Sequence, residues 1–330
     1  MWEIGFSGGK DSSVLCHLVF EYVAQATIDG SPLPPKIFIL YADTLLDLPI
    51  LRRHALNSLH QMSEYAKRFG ELIEIRILKP ATGEDYFSMV LDRGYSAPHF
   101  RYRWCMGRLK MAPTFDFLYD LGDFVMITGV RQQESNARRR NLQNRKQTKP
   151  IARVGSNIMV APLLNWSTEQ VWGFLSSFNQ PWSGEKYEQL FELYRIGDNL
   201  EGCGRCELTP SSRFGCWICT VVRRDRLLEN LANHGYEYRI MLNAKERIRN
   251  VSLTRSMRSF HPDGRYKGLN EKGKLEIVNI IVDVLLAHQD ALEAYLENGE
   301  LKQKVIRWIE DAYHKTGSPP MRNALDKLYC

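Results

Sequence analysis

The sequence predicts an α/β protein: a doubly wound, mostly parallel sheet with a mainly α-helical, cysteine-rich C-terminal part. Three observations predict it. An apolar run, Trp2 to Phe6, breaks into Ser7-Gly8-Gly9 and then into helical spacing at Val14, Leu15, Leu18, Val19 and Tyr22, which is how a βαβ unit begins. Short continuous apolar runs then recur between helical stretches, as buried parallel strands do. From Glu185 onward the strand pattern stops, and four cysteines fall within residues 203–219.

Taken in order, the first strand and helix are followed by a breaker, Ser31-Pro-Leu-Pro-Pro35. Lys36 to Ala42 is the second strand, and Asp43-Thr44 lies at its carboxyl end, where open α/β sheets place ligands. A helix is expected from Pro49 to Phe69, ending at Gly70, and a third strand from Leu72 to Leu78. Phe87 to Arg93 reads as helix, and another helix runs to Leu121. Phe124 to Gly129 is a strand that delivers Val130-Arg131-Gln-Gln-Glu134-Ser135 at its carboxyl end. Residues 141–155 are polar and basic without a hydrophobic period and read as a loop, and Ile158 to Leu163 is the last strand. Ser167 is placed to cap a helix over Thr168 to Phe178. Helices are expected from Tyr187 to Arg195, after Arg223, over Leu275 to His288 and over Leu301 to Tyr313, with Gly317-Ser-Pro-Pro320 opening a looser tail. The pattern change suggests two domains, 1–180 and 181–330.

The chain has 330 residues, 44% hydrophobic and 25% charged, ordinary values for a globular protein. No apolar run approaches the roughly 18 residues of a membrane span, so no membrane association is expected. The N-terminus enters a strand at once, so no signal peptide is expected and the cytoplasm is the expected location; the same abrupt start also fits a sequence from which an upstream segment is missing. Net charge is only +6, but it is unevenly spread. Gly129 to Gly155 holds eight Lys/Arg against one acid, and Lys245 to Lys267 holds seven against two. Clusters this local suggest a polyanionic partner.

A glycine turn between strand and helix is an anion site, because the backbone can approach phosphate oxygens and free N–H groups point at them. Here Gly8 and Gly9 supply the turn, Ser7, Ser12 and Ser13 hydroxyl donors, Lys10 charge, and Asp11 a carboxylate for Mg²⁺. It is not a Walker A loop, which would need glycine at position 4 and Ser or Thr at position 11; the chain has Ile4 and Asp11. Ser-Gly-Gly-Lys-Asp-Ser instead resembles the PP-loop of ATP pyrophosphatases, which cleave ATP between the α- and β-phosphates. Arg131 and Arg138, beyond the strand that ends at Gly129, are placed to clamp phosphates bidentately. Asp43 is a candidate contact for the nucleoside or metal ion. Arg139, Arg140, Arg145 and Lys146 are candidates for tracking a nucleic-acid backbone.

Cys203-Gly-Arg-Cys206 and Cys216-Trp-Ile-Cys219 are two CxxC pairs, a strong metal signal because each turn aims two thiolates at one point. Only nine residues separate the pairs, short for a zinc ribbon, and an iron–sulfur cluster takes four thiolates as readily. Cys105, between Trp104 and Met106, is a fifth candidate. On the residues alone zinc and iron–sulfur stand level.

Phe6-Ser-Gly-Gly-Lys-Asp-Ser-Ser13, Tyr41-Ala-Asp-Thr44, Arg103-Trp-Cys-Met-Gly-Arg-Leu-Lys110, Gly129-Val-Arg-Gln-Gln-Glu-Ser135 with Arg138, and Arg213-Phe-Gly-Cys-Trp-Ile-Cys-Thr-Val-Val222 occur in this order. Together they resemble the sulfurtransferase subunit of bacterial DNA phosphorothioation, the DndC family and its shorter relative SspD, which belongs with the phosphoadenosine phosphosulfate reductases. The motifs cover two-thirds of the chain. The resemblance implies a [4Fe–4S] cluster on Cys105, Cys216, Cys219 and Cys206, with Cys203 the substitute for Cys206. It also implies ATP and Mg²⁺ as reactants, a cysteine desulfurase, DNA and the other subunits of the modification complex as partners, and a role in phage defence. The implied reaction adenylylates a DNA phosphate, releases pyrophosphate, and lets sulfur displace AMP. A phosphoadenosine phosphosulfate reductase, a tRNA thiolase, and a non-catalytic, zinc-stapled nucleotide sensor that binds DNA are the competing expectations.

Overall fold

The computed structural model describes residues 1–99, 102–134, 144, 148–155, 157–198, 215–222 and 224–329. The chain forms two compact units, one of Met1–Ala42, Ile50–Leu78 and Thr114–Ser212, the other of Asp43–Pro49, Lys79–Pro113 and Arg213–Cys330. This interleaved division differs from the single cut near residue 180 that the composition suggests.

The first unit is the α/β domain. Its strands are β1 (Trp2–Gly5), β2 (Ile37–Ala42), β3 (Ile73–Leu78), β4 (Val125–Ile127), β5 (Ile151–Val154) and β6 (Asn157–Val160), in the order β3-β2-β1-β4-β6-β5. Every pairing is parallel except β5 with β6. β1 is central, with Trp2 opposite Ile37 on one side and Val125 on the other. β2 is buried from Ile37 to Tyr41, as its unbroken apolar run requires of a strand covered on both faces. Helix α1 (Lys10–Asp29) buries Val14, Leu15, Val19, Phe20 and Val23 and stops at Gly30, whose φ of +75° closes the last turn. α2 (Pro49–Ala66) follows β2. α3 (Ala112–Tyr119) precedes β4, and α4 (Thr168–Ser177) starts on a reciprocal capping box between Ser167 and Gln170. α5 (Glu188–Asp198) is the last described element of the unit.

Two strand pairs escape the sequence reading. β5 lies within the stretch read as a loop. It is an edge strand whose residues are alternately exposed and half-buried, so it carries no apolar run, and Gly155 at φ +62° turns it back into β6. The second unit holds a two-stranded hairpin, β7 (Arg258–Phe260) and β8 (Tyr266–Leu269), where no strand was expected; both are short and rich in charge. The expected loose tail is also corrected. Gly317 ends one helix at φ +63°, and Pro319 opens another over Pro319–Tyr329, because proline's fixed φ and missing N–H suit a first helical position.

The rest of the second unit is helical: α6 (Arg226–His234), α7 (Tyr236–Leu253), α8 (Glu271–Ala287) and α9 (Gly299–Thr316), before the last helix, α10, over Pro319–Tyr329. These helices hold the 79–113 segment, which explains why it groups with them. Tyr295 donates to Asp85 at 3.0 Å, Trp308 Nε1 to Asp92 at 2.8 Å, and Lys304 to the Ser88 hydroxyl at 2.9 Å. The Ser88–Asp92 turn they pin is a π-helical turn rather than the regular helix expected there.

One central-strand residue is charged by type. Glu3 is 6% exposed on the face of β1 shared with Phe38 and Met126, and burial pushes its carboxyl up from 4.5 to about 7. A raised acid favours the fold when protonated, so its penalty is small near the unfolded value, grows as pH rises from 4.5 to 7 and is complete above. Glu3→Gln is therefore expected to stabilise the chain by about 3 kcal/mol at pH 8 and by less than about 1 kcal/mol at pH 5. Urea denaturation at the two pH values measures it; an equal gain at both would refute the account.

Candidate active site

The turn between β1 and α1 is shaped by its own side chains. Gly8 has φ +70°, and a Cβ there would lie 3.0 Å from the Ala55 Cβ, so both conformation and space require glycine. The Ser12 hydroxyl closes the turn from inside: it accepts from the Ser7 N–H at 3.2 Å, donates to the Gly9 carbonyl at 2.9 Å, and lies 3.1 Å from the Ser7 hydroxyl. Ser12 and Ser13 are buried, while Ser7 is exposed. The serines thus set the turn's shape as much as they line it. Gly9 is the N-cap of α1 and offers no side-chain cap, with Asp11 the acidic residue of the first turn.

Three charged residues meet at that helix start. Lys10 Nζ lies 3.1 Å from Asp11 Oδ2, with side-chain exposures of 8% and 20%. Arg131 Nε lies 2.6 Å from Asp11 Oδ1, and the Arg131 side chain is 0% exposed. Nη1 of Arg131 also donates to the Trp166 carbonyl at 3.2 Å and the Thr168 hydroxyl at 3.4 Å. Its Nη2 is buried and, among the described residues, has no hydrogen-bond partner. Gly129, just past β4, lets the chain bring Arg131 in: a Cβ there would stand 3.1 Å from the Asp11 carbonyl oxygen. Tyr194 of α5 contributes a hydroxyl 3.4 Å from the Lys10 N–H and a ring 5.3 Å from the Lys10 ammonium. Two cations around one carboxylate, at an uncapped helix start, can receive a polyphosphate. Asp11 here has both oxygens in ion pairs, which makes it the counter-ion that aims Lys10 and Arg131 rather than an open magnesium ligand.

In the second unit the cysteine turn is held by its apolar middle. Trp217 is fully buried, its N–H bonds the Leu46 carbonyl at 3.0 Å, and its indole donates to the Ala291 carbonyl at 3.2 Å. Burying Trp217 and Ile218 turns Cys216 and Cys219 the other way, half-buried. The Thr44 hydroxyl lies 3.1 Å from Cys216 Sγ, and the Asp47 carboxylate accepts from it at 3.5 Å. Asp43, fully buried, accepts from the Leu45 N–H at 2.9 Å and so stabilises the left-handed Leu45, φ 68°. In this structure Asp43 is a turn former, and Thr44 and Asp47 are the residues that reach the thiol.

Cys105 stands at the start of the π-helical turn Met106–Met111, next to Trp104, which stacks on Tyr86 at 5.4 Å and donates to the Ser96 carbonyl. Burial pushes the Cys105 thiol up, with the Cys219 charge adding to it. Burial, then Asp47, push Cys216 up. Lys110 is lowered by burial, but Asp47 and the three thiols outweigh this and leave it raised. Tyr86 is fully buried and raised chiefly by burial, then by Cys105, Cys219 and Cys216, and among the described residues its hydroxyl has no partner. A buried phenol beside three thiols lacks only an acceptor, which suits a group that brings sulfur or thiolate charge. Among the described residues no three His, Cys, Asp or Glu are already arranged around a metal ion. The fourth thiol, Cys206 or Cys203, lies outside the described residues, as do Ser135, Arg138, Arg139, Arg140, Arg145 and Lys146.

Sequence reasoning did not find Tyr194, Thr168, Tyr86 or Asp47 as members of these sites; Lys110 was found only as the last residue of the Arg103–Lys110 motif. Only Thr168 had a local signal, the cap at Ser167. Arg108 is tied to Glu84 at 2.8 Å.

The chain is similar to known proteins over about two-thirds of its length. Residues 3–222 match the model of the phosphoadenosine phosphosulfate reductase domain. A protein of Methanocaldococcus jannaschii, described as uncharacterized, is 26% identical over 209 residues, 63% of this chain and 42% of that protein. The chain therefore spans less than half the length of the curated relative it matches. The crystal structure of phosphoadenylyl-sulfate reductase from Candida auris, a phosphate complex, aligns at 16% identity over 53% of this chain and 71% of that one, with a TM-score of 0.34. No helix among the described residues is long and apolar enough to cross a membrane.

Proposed function

The chain belongs to the phosphoadenosine phosphosulfate reductase domain family, and from that premise we propose that it is the ATP pyrophosphatase and sulfurtransferase of a DNA phosphorothioate modification system, of the DndC and SspD kind. One observation carries the nucleotide half of this reading: the buried Arg131, with Nη2 unsatisfied, beside Asp11 and Lys10 at the start of α1.

In this reading the β- and γ-phosphates of ATP sit on the glycine turn, where Lys10 and the backbone N–H groups hold them and Nη2 of Arg131 finds its missing acceptor. A non-bridging oxygen of a DNA phosphate attacks the α-phosphorus. The bond to the β-phosphate breaks, and pyrophosphate leaves with its growing charge matched by cations that were in place beforehand. The attacking oxygen is already anionic, so no general base is required. A persulfide from a cysteine desulfurase partner then forms the P–S bond as AMP departs, and a thiol reduces the remaining S–S bond. Cys105, Cys216 and Cys219, with Cys206 or Cys203, would hold a [4Fe–4S] cluster, and the buried Tyr86 hydroxyl, without a partner among the described residues, is the feature that fits it. When bound, such a cluster supplies sulfide-ligated iron and a one-electron couple. Arg138, Arg139, Arg140, Arg145 and Lys146 remain assigned to phosphate and nucleic acid on their sequence alone.

The test is product analysis: ATP with Mg²⁺ and DNA is expected to give AMP and pyrophosphate, and ADP with orthophosphate would overturn the reading. The family match also favours a second one, reduction of phosphoadenosine phosphosulfate. Sulfite release from that compound, without pyrophosphate release from ATP, would select it.

A further inference from the structure

The basic stretch from Lys245 to Lys267 has no part in the reaction so far, and the structure sorts its charges. Lys245 is paired with Asp225 at 3.0 Å, Arg247 with Glu276 at 2.8 Å and with Asp283, and Arg265 with Asp263 at 2.6 Å. Arg255 lies over the Phe260 ring at 5.0 Å. Two arginines are treated differently. Arg249 is exposed and makes no ion pair or hydrogen bond among the described residues. Arg258 is stacked on Tyr266 at 4.7 Å and Phe260 at 5.5 Å, and its Nε is buried with no acceptor among the described residues.

Both line one cavity of about 460 Å³ within the second unit, together with Pro98, Thr220, Ser252 and Leu253. No acidic residue is among its described lining residues. Arg249, Ser252 and Leu253 sit three and four residues apart on α7, and so share a face. The Ser252 hydroxyl accepts from the Ala97 N–H at 2.9 Å, which fixes the opposite wall, and Thr220 donates to the Pro98 carbonyl. The hairpin bearing Arg258 is set against that wall by a glycine crossing: a Cβ on Gly268 would stand 3.0 Å from the Gly94 carbonyl oxygen. Thr220 directly follows Cys219, so the cavity begins one residue beyond the thiol turn.

We propose that this cavity docks a backbone phosphate of DNA, with Arg249 and Arg258 as its two donors and the apolar wall of Pro98 and Leu253 taking the adjoining sugar. Charge complementarity points to an anion. A guanidinium stacked on two rings, its Nε without an acceptor among the described residues, is a rigid donor, and the apolar wall favours a phosphodiester over a small hydrated ion. The inference rests on the nucleic-acid acceptor proposed above and adds where that acceptor is gripped.

Anisotropy of a fluorescein-labelled duplex with the full chain, across a range of NaCl concentrations, tests it. Arg249→Ala, at an exposed position, and Arg258→Gln are each expected to weaken binding roughly tenfold and to lower the salt slope by about one. Thermal melting checks that each variant is folded, and Arg249→Ala carries the test if Arg258→Gln is not. Wild-type affinity and slope in folded variants would overturn the proposal, as would displacement of the duplex by inorganic phosphate at constant ionic strength. Loss of binding in a chain that releases no pyrophosphate keeps this site and sinks the reaction. Full modification of DNA by folded variants sinks this site and keeps the reaction.

Discussion

Arg131→Met is expected to slow pyrophosphate release from ATP by roughly 10²–10³-fold, the cost of losing one preorganised donor at a developing charge. It is also expected to destabilise the chain by about 1–3 kcal/mol, because the Arg131 hydrogen bonds to Asp11, Trp166 and Thr168 are lost while Asp11 keeps Lys10. The size follows from the environment. Arg131 is fully buried, and its Nε and Nη1 are committed to Asp11, Trp166 and Thr168; Nη2 has no partner among the described residues. Methionine fills similar volume but leaves Asp11 facing Lys10 alone. Arg131→Lys is expected to recover some stability and little rate, since an ammonium cannot reach those partners and still present a donor. Steady-state kinetics with urea denaturation on each variant separates the two effects. Wild-type turnover in a destabilised Arg131→Met chain would reduce the arginine to a structural role.

Cys216→Ser is expected to lose most of the iron that anaerobically purified wild-type chain retains, about four atoms for one cluster, while nucleotide binding persists. The serine keeps the contacts of Cys216 with Thr44 and Asp47 and the burial of Trp217, so the turn stays folded and the loss reads on ligation. Iron and sulfide assays with the visible spectrum decide it. A colourless wild-type chain carrying zinc would replace the cluster with a structural ion, and unchanged iron in the variant would remove Cys216 from the donor set.

The glycine-turn site is legible in the sequence because its signal is local: strand, two glycines and helix start lie within thirteen residues. Arg131 was found for the same reason, being delivered by the end of a recognisable strand. Tyr194 was not, since it reaches Lys10 across 184 residues from a helix whose pattern explains its burial equally well. Tyr86 was hidden for a related reason: a tyrosine in an apolar stretch looks like any core residue until three thiols gather beside it. Asp43 was read by its place at a strand end, whereas the fold employs it to bend the chain at Leu45. β5 stayed invisible because an edge strand needs no second apolar face, and β7–β8 because a short hairpin beside helices is stabilised by aromatic–arginine stacking rather than by a periodic core.

The interleaving of the two units bears on how the gene can be cut. The main chain passes between them five times, after residues 42, 49, 78, 113 and 212, so no single stop codon or start site yields either one whole. A C-terminal fragment would lack the Asp43–Pro49 strap that meets Cys216, together with the Cys105 segment. An N-terminal fragment would carry both pieces stripped of the helices they lean on. Such a protein is inherited, exchanged and engineered as one indivisible cassette.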